Sequence, residues 1–296
     1  MAMSGQTSQP KQKSYSKVLH TKRAIRGLIC ILFCLLSLLP FLLMVMNATR
    51  TSGDIQAGVS LIPSSHLMEN WNMLLQKQNG MRLTLGRAML NSLCITVPGT
   101  FLAVYCSCMT AYGIHVYNFK AKKFAWAFIM AIMMVPNQIT IIGFYRFMLK
   151  LNLVDTYIPL IIPAIASPGT VFFLRQYVLS VMPPSLIEAA RIDGASELYT
   201  FHRIAIPIMS PGIATMSIMG FIGGWNAYLL PMIILNKNEK FTLPVMMATL
   251  RASTDITANQ GAIYLAVAIS VIPILLVFAF FSKYIISSIS AGAVKE

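Results

Sequence analysis

The stretch GLICILFCLLSLLPFLLMVMNA, Gly27 to Ala48, carries no charged residue over the ~20 positions that an α-helix needs to cross a bilayer core. Lys11, Lys13, Lys17, Lys22, Arg23 and Arg26 precede it. The run is longer than a signal-peptide core and lacks a small-residue cleavage site, so it reads as a retained first span. Five further segments meet the same length criterion, at about 89–113, 124–148, 157–181, 205–235 and 261–287. The chain is therefore expected to be an all-α integral membrane protein with six spans. Residues 1–26 read as a basic tail, 27–296 as the six-span domain, and the stretch from about 288 as a C-terminal tail. Six spans put both termini on one side of the membrane. The basic tail and the loop with Lys120, Lys122 and Lys123 fall on that side, which the positive-inside rule makes cytoplasmic.

Composition agrees with this reading. Of 296 residues, 56% are hydrophobic and 11% charged, too apolar for an ordinary soluble domain. The mean hydropathy is +0.69. The net charge of +14 sits beside apolar segments and forms no basic stripe interleaved with aromatics, which argues against nucleic-acid binding. Cys30, Cys34, Cys94, Cys106 and Cys108 lie inside apolar runs without zinc or disulfide spacing, and the histidines form no metal motif.

The charges also limit how the protein is driven. All nine acidic residues fall in expected loops or termini, so no carboxylate stands at membrane depth to relay a proton. Sodium coupling through backbone groups stays open. There is no GxxxxGK[ST] phosphate loop, hence no P-loop ATP site. Nor is there a paired-Asp, Ser-base or zinc set for intramembrane catalysis. Energy for pumping would have to arrive through a partner. Arg146, Arg175 and Lys283, near span ends, are expected to snorkel to the interface.

A candidate docking point is the loop at 183–204, which holds three of the nine acidic residues in PPSLIEAARIDGASELYTFHRI. Ser185 and Glu188 have capping-box spacing, so a short helix is expected over 186–192. Gly194 supplies a residue free to take positive φ where that helix ends. Ser196 can cap a second helix with Glu197 in its first turn. Helices this short are marginal alone in water. Leu186, Ala189, Ala190, Ile192, Leu198, Phe201 and Ile204 could face a partner's groove or rest on lipid headgroups, with Glu188, Arg191 and Asp193 available for ion pairs.

EAARIDGA at 188–195, followed by Phe201, Ile204, Pro207 and Pro211, resembles the EAA motif of permease subunits of ATP-binding-cassette importers. The flanking sequence is similar to the carbohydrate branch of that family, of the maltose-permease G subunit type. It includes Asn91-Ser92-Leu93, Ala111-Tyr112, MVPNQITIIGFY, FFLRQYVLS, Gly224-Trp225-Asn226 and the tail from Ser290 to Lys295. The resemblance implies a type I importer permease fold, with the EAA segment as a coupling helix between the fourth and fifth spans. It also implies a second, paralogous permease subunit, an ATPase dimer that holds ATP and Mg, an extracytoplasmic solute-binding protein and a sugar substrate, with no cofactor in this chain. It assigns ATPase coupling to Ser185, Glu188, Ala189, Ala190, Arg191, Asp193, Gly194, Ala195, Phe201 and Pro207, and a C-terminal ATPase contact to Gly292 and Lys295. For the sugar path, amide and aromatic chemistry singles out Asn137, Gln138, Tyr145 and Asn226; hydrogen bonding between helices is the other use such residues find. Three positions depart from the family pattern: Tyr117-Asn118-Phe119 replaces an aromatic-Pro-Gly turn, Ala227 stands where an acid often follows Trp-Asn, and Glu296 replaces a terminal Gly.

Overall fold

The computed structural model describes residues 11–75, 83–252 and 260–293, except the side chains of 11–21, 137 and 285–293. Helix α1, Lys11–Asn47, is followed by α2, Ser52–Ala57, and α3, Leu67–Leu75. Then come α4, Leu85–Val116; α5, Lys122–Met133; α6, Asn137–Lys150; α7, Ile158–Ile161; and α8, Pro168–Val181. The loop of interest holds α9, Pro184–Ile192, and α10, Glu197–Thr200. Finally come α11, Ile206–Trp225; α12, Leu229–Ile234; α13, Leu243–Ala252; and α14, Gln260–Ala293. No strand occurs among the described residues.

By length and apolarity, five helices or joined helices can cross a membrane: 22–47, 85–116, 158–181, 197–225 and 260–284. The sixth is α5 with α6, which passes the same test as a pair but bends by 99° between them. The expected straight span at 124–148 is thus broken. Pro136 opens α6 without an amide hydrogen and disfavours helical geometry at Val135, which accounts for the position of the break. Helix α1 takes in residues 11–26, read from sequence as a tail. The fifth span starts at Glu197 and ends at Trp225, eight positions earlier and ten positions earlier, respectively, than its hydropathy boundaries of 205 and 235.

The described residues form two compact units, one within 1–70 and 257–268 and the other within 71–256 and 269–296. In the first, Arg50 is buried and donates to Asn47 Oδ1 at 3.1 Å and to the Gly58 carbonyl at 3.0 Å. Asn70 Nδ2 donates to the Ala48 and Arg50 carbonyls at 2.9 and 3.1 Å. Gly261 packs against that knot, where a Cβ would meet the Arg50 carbonyl oxygen and the Asn70 amide within about 2.5 Å. Most apolar side chains of α1 are exposed along the helix, as suits a helix dissolved in lipid.

In the second unit α4, α8 and α11 pack together around Val104, Cys108, Tyr112, Leu174, Val178 and Met209. A polar clasp closes one end of α4. Asn91 Nδ2 donates to the Glu239 and Phe241 carbonyls at 2.9 and 3.0 Å, and Ser92 Oγ accepts from the Leu243 amide at 2.8 Å. Nearby, Asp155 at φ +62 accepts from the amides of Asn236 and Lys237, both at 3.1 Å, and from Lys240 Nζ at 3.0 Å. Burial alone would raise the Asp155 carboxyl, but the Lys237 amide, the Lys240 ammonium and the Asn236 amide together hold it below its ordinary value.

Candidate functional site

At the other end of α4, α9 lies between Met182 and the turn at Gly194. Its start differs from the capping-box expectation. Pro183 holds the cap position without a side-chain bond, and Pro184 supplies the first helical residue. Proline has no amide hydrogen to satisfy and a φ already suited to a first turn, so Ser185 falls inside the helix rather than before it. The far end closes as a Schellman motif: the Ala195 amide donates to the Ala190 carbonyl at 2.9 Å and the Gly194 amide to that of Arg191 at 3.1 Å. Gly194 takes φ +78, a left-handed value that costs other residues steric energy. Ser196 then caps α10 by accepting from the Tyr199 amide at 3.3 Å.

The second short helix is not separate. α10 runs through a π-helical turn, Phe201–Ala205, into α11. Pro207 lacks the amide hydrogen that would complete a regular helical bond there, which favours the wider turn before it. The second half of the EAA loop is thus continuous with the fifth span.

Helix α9 has two unlike faces. Ile187 (1% exposed) and Ala190 turn inward, and Ile187 joins the core formed by Cys108, Ala111, Tyr112, Val178, Met182 and Phe201. Ser185, Leu186, Glu188, Ala189 and Ile192 face outward, with Ile192 86% exposed. The turn around Gly194 is stapled by charge. Glu197 accepts from Arg191 Nε and from the Tyr117 hydroxyl, both at 2.7 Å, and the Arg191 guanidinium lies 5.6 Å from the Tyr117 ring centre. The bond to Glu197, and then burial, push the Tyr117 phenol up to about 12. His115 Nε2 donates to the Met182 carbonyl at 2.9 Å, tying α4 to the residue that precedes the Pro183-Pro184 pair.

Toward the middle of the unit lies a cavity of about 620 Å³, walled by α4, α11, the α5–α6 bend and the stretch 160–170. Its wall combines small and hydroxyl residues with aliphatic ones such as Ile95, Ile132, Leu160 and Leu230. Gly220 and Gly224 face Thr100 and Thr96, so closely that a Cβ at Gly224 would sit 3.1 Å from the Thr96 methyl. No charged or aromatic residue is among the described residues that line it.

Residues 99–291 match the family model for the inner-membrane component of binding-protein-dependent transport systems. The chain belongs to this family. Among its relatives, the arabinooligosaccharides transport system permease protein AraQ of Halalkalibacterium halodurans is 34% identical over 263 residues, covering 88% of this chain and 92% of that one. The diacetylchitobiose uptake system permease protein NgcG of Streptomyces coelicolor is 28% identical over 271 residues, covering 91% and 88%. In fold, the chain is similar to one in a bacterial transporter that imports the acidic polysaccharide alginate, with a TM-score of 0.74, 19% identity and coverage of 95% and 99%.

In this inner-membrane component, residues singled out from sequence fall into distinct settings. Ser185, Glu188, Ala189, Asp193 and Gly194 are exposed together around α9, with Ala195 half-buried behind the turn. Arg191, exposed like its neighbours, is paired with Glu197, because the Gly194 turn brings the two within one hydrogen bond. Phe201, expected to face a groove, is buried 5.2 Å from the Tyr112 ring, since α10 feeds directly into the bundle. Pro207 lies one helical turn further on, and exposed.

Of the expected sugar-path residues, Gln138, Tyr145 and Asn226 are not among the described residues that line the cavity. Asn226 donates its amide back to the Ile222 carbonyl at 3.0 Å, and Tyr145 packs on the cluster of Met148, Ile234 and Leu235. Gln138 is exposed on α6, and the side chain of Asn137 lies outside the described residues. Gly292 is in the last turn of α14 with undescribed surroundings, and Lys295 lies outside the described residues. Arg175 stacks over Trp126 at 3.9 Å with its Nε buried, rather than reaching freely to the interface. Ile187, Tyr117 and the cavity threonines were missed from sequence. An inward residue between two outward ones in a nine-residue helix leaves a faint period, and the partners of Tyr117 are 74 and 80 positions away.

Proposed function

We infer that the chain is the membrane-spanning permease of an ATP-driven sugar importer, working by alternating access. One observation carries the coupling part of this reading: α9 presents Leu186, Glu188, Ala189 and Ile192 outward while Ile187, on its opposite face, is locked into the α4–α8–α11 core. A force on the outward face is passed to three spans without an intervening flexible joint. On this reading the α9 end is cytoplasmic and both termini lie on that side. An ATPase dimer that binds ATP and Mg seats α9 in a groove, with Glu188 paired to a basic residue. A second permease subunit completes the pathway, and an external solute-binding protein delivers the sugar. The sugar class is supported by AraQ, a permease protein of an arabinooligosaccharides transport system, and by NgcG, a permease protein of a diacetylchitobiose uptake system.

The test is uptake by cells in which Glu188→Lys or Gly194→Pro replaces the native chain. Both variants are expected to insert at normal levels, to retain their partner chains on gentle solubilisation, and to lose at least about tenfold in uptake while ATP hydrolysis persists. Wild-type uptake in both would end the coupling assignment. Uptake that survives ATP depletion but stops when ion gradients collapse would replace the ATP-driven reading with an ion-coupled carrier.

A further inference from the structure

Arg175 is a cation without a counter-charge. It stands on α8 seven positions before Met182, about 10 Å along the helix at 1.5 Å per residue. Met182 marks the end of that span, where its carbonyl is tied to His115 of α4. The Arg175 side chain is half-buried, its Nε is covered and unpartnered, and no ion pair reaches it among the described residues. Between Glu69 and Glu188 the chain holds one acidic residue, Asp155. That carboxylate belongs to the clasp at the opposite end of α4, already bonded to Lys240. A guanidinium stays charged, and an unpaired ion at this depth is costly. Its counter-ion must come from outside the chain.

The surroundings narrow what that counter-ion is. The guanidinium lies over Trp126, 3.9 Å from the ring centre, and Trp126 stacks on Phe172 at 5.9 Å. Stacking engages the face of a guanidinium and leaves its edge, where the terminal Nη donors point, to take two oxygens of one oxyanion. Trp126 is one helical turn inside Lys122, whose ammonium reaches the His115 and Tyr117 carbonyls at the end of α4. An indole at that level suits the boundary between headgroups and acyl chains. Lys123, exposed and three positions before Trp126, adds a second cation on that side of α5. Beside it Phe124 and Phe128 are 74% and 56% exposed and stack at 6.2 Å, an apolar flank next to the two cations.

We propose that Arg175 and Lys123 bind the phosphate of an anionic glycerophospholipid in the leaflet at the α9 end, with its acyl chains along Phe124 and Phe128. Trp126 holds the guanidinium short of the interface, so the headgroup is drawn inward to meet it, the local thinning that an arginine at this depth imposes. The proposal goes beyond the importer reading. It is tested by lipid retention and not by uptake, so its failure and the failure of that reading are distinguishable.

In the experiment the full-length chain, in mild detergent, is offered phosphatidylglycerol and phosphatidylcholine with identical acyl chains, and bound lipid is read by native mass spectrometry. Phosphatidylglycerol is expected to be retained severalfold over phosphatidylcholine, whose own ammonium neutralises its phosphate. Arg175→Gln should lower phosphatidylglycerol affinity about tenfold, as for the loss of a charge-assisted hydrogen bond. Arg175→Lys, which keeps the charge without the planar fork, should fall between the two. Lys123→Gln should lower affinity about three- to fivefold, and because Lys123 is exposed it keeps the test readable where Arg175→Gln fails to insert. Lys150→Gln, at the far end of α6, should change nothing. Equal retention of the two lipids, or unchanged phosphatidylglycerol binding in both Arg175→Gln and Lys123→Gln, would overturn the site. An equal loss in Lys150→Gln would also overturn it, by reducing the effect to bulk charge. Release of the lipid by inorganic phosphate would overturn it in favour of a free anion, and cross-linking of Lys123→Cys to another protein chain in cells would overturn it in favour of a subunit contact.

Discussion

Asp155 shows how much one side chain can organise in a chain with few carboxylates. It collects two amides and a lysine across more than eighty positions of sequence, with its own side chain only 17% exposed. Its carboxyl is held below the ordinary value, so its stabilising contribution is complete above the unfolded carboxylate pKa. That contribution is lost as pH falls through the lower folded pKa. Asp155→Asn is therefore expected to lower the thermal midpoint of the solubilised chain by several degrees at neutral pH. The gap to the wild type should begin to narrow as pH falls below the ordinary carboxylate value near 4 and close only below the lower folded pKa, where both chains lack the charge. Thermal melts at the two pH values check this.

At the scale of the element, α9 is defined by its ends and by one inward residue. Gly194 and the Schellman bonds fix where it stops, and Ile187 fixes which face is hidden. Ile187→Ala is expected to cost roughly 2–5 kcal/mol, because the surrounding helices cannot fully close the space. Glu197→Gln leaves the core intact but removes the charge that holds Arg191 and the Tyr117 hydroxyl. The two variants should separate by assay. The first lowers the melting temperature, whereas the second leaves it nearly unchanged and lowers uptake severalfold. Much of this was legible beforehand: the glycine turn and the Ser196 cap follow from local backbone chemistry in EAARIDGASE. The Ser185 cap was misplaced because Pro184 competes for the same turn, and proline's fixed φ wins.

For the whole molecule, α9 should change its accessibility when partners assemble. If α9 is cytoplasmic as proposed, Ile192→Cys, at a site 86% exposed, is expected to react with a membrane-impermeant maleimide in inside-out vesicles when the chain is expressed alone. The same site should be protected at least severalfold when the ATPase subunits are co-expressed. Equal labelling in both cases would argue that α9 rests on lipid and is not seated in a protein groove.

Apolar runs, proline and glycine positions and the placement of charge were enough to read a multispan helical membrane protein, the glycine turn of the EAA loop and the Ser196 cap. These are local matters: a twenty-residue apolar run, a residue without Cβ and a hydroxyl three residues before an amide act through their immediate neighbours. Folding in three dimensions decided the rest. It broke the third span at Pro136, merged the loop's second helix into α11, paired Arg191 with Glu197, buried Phe201, and put Thr96 beside Gly224 on a cavity wall while turning Asn226 back on its own helix. Each outcome depends on which distant backbone approaches closely enough to offer a bond or exclude a side chain, and hydropathy along a chain holds no record of that distance.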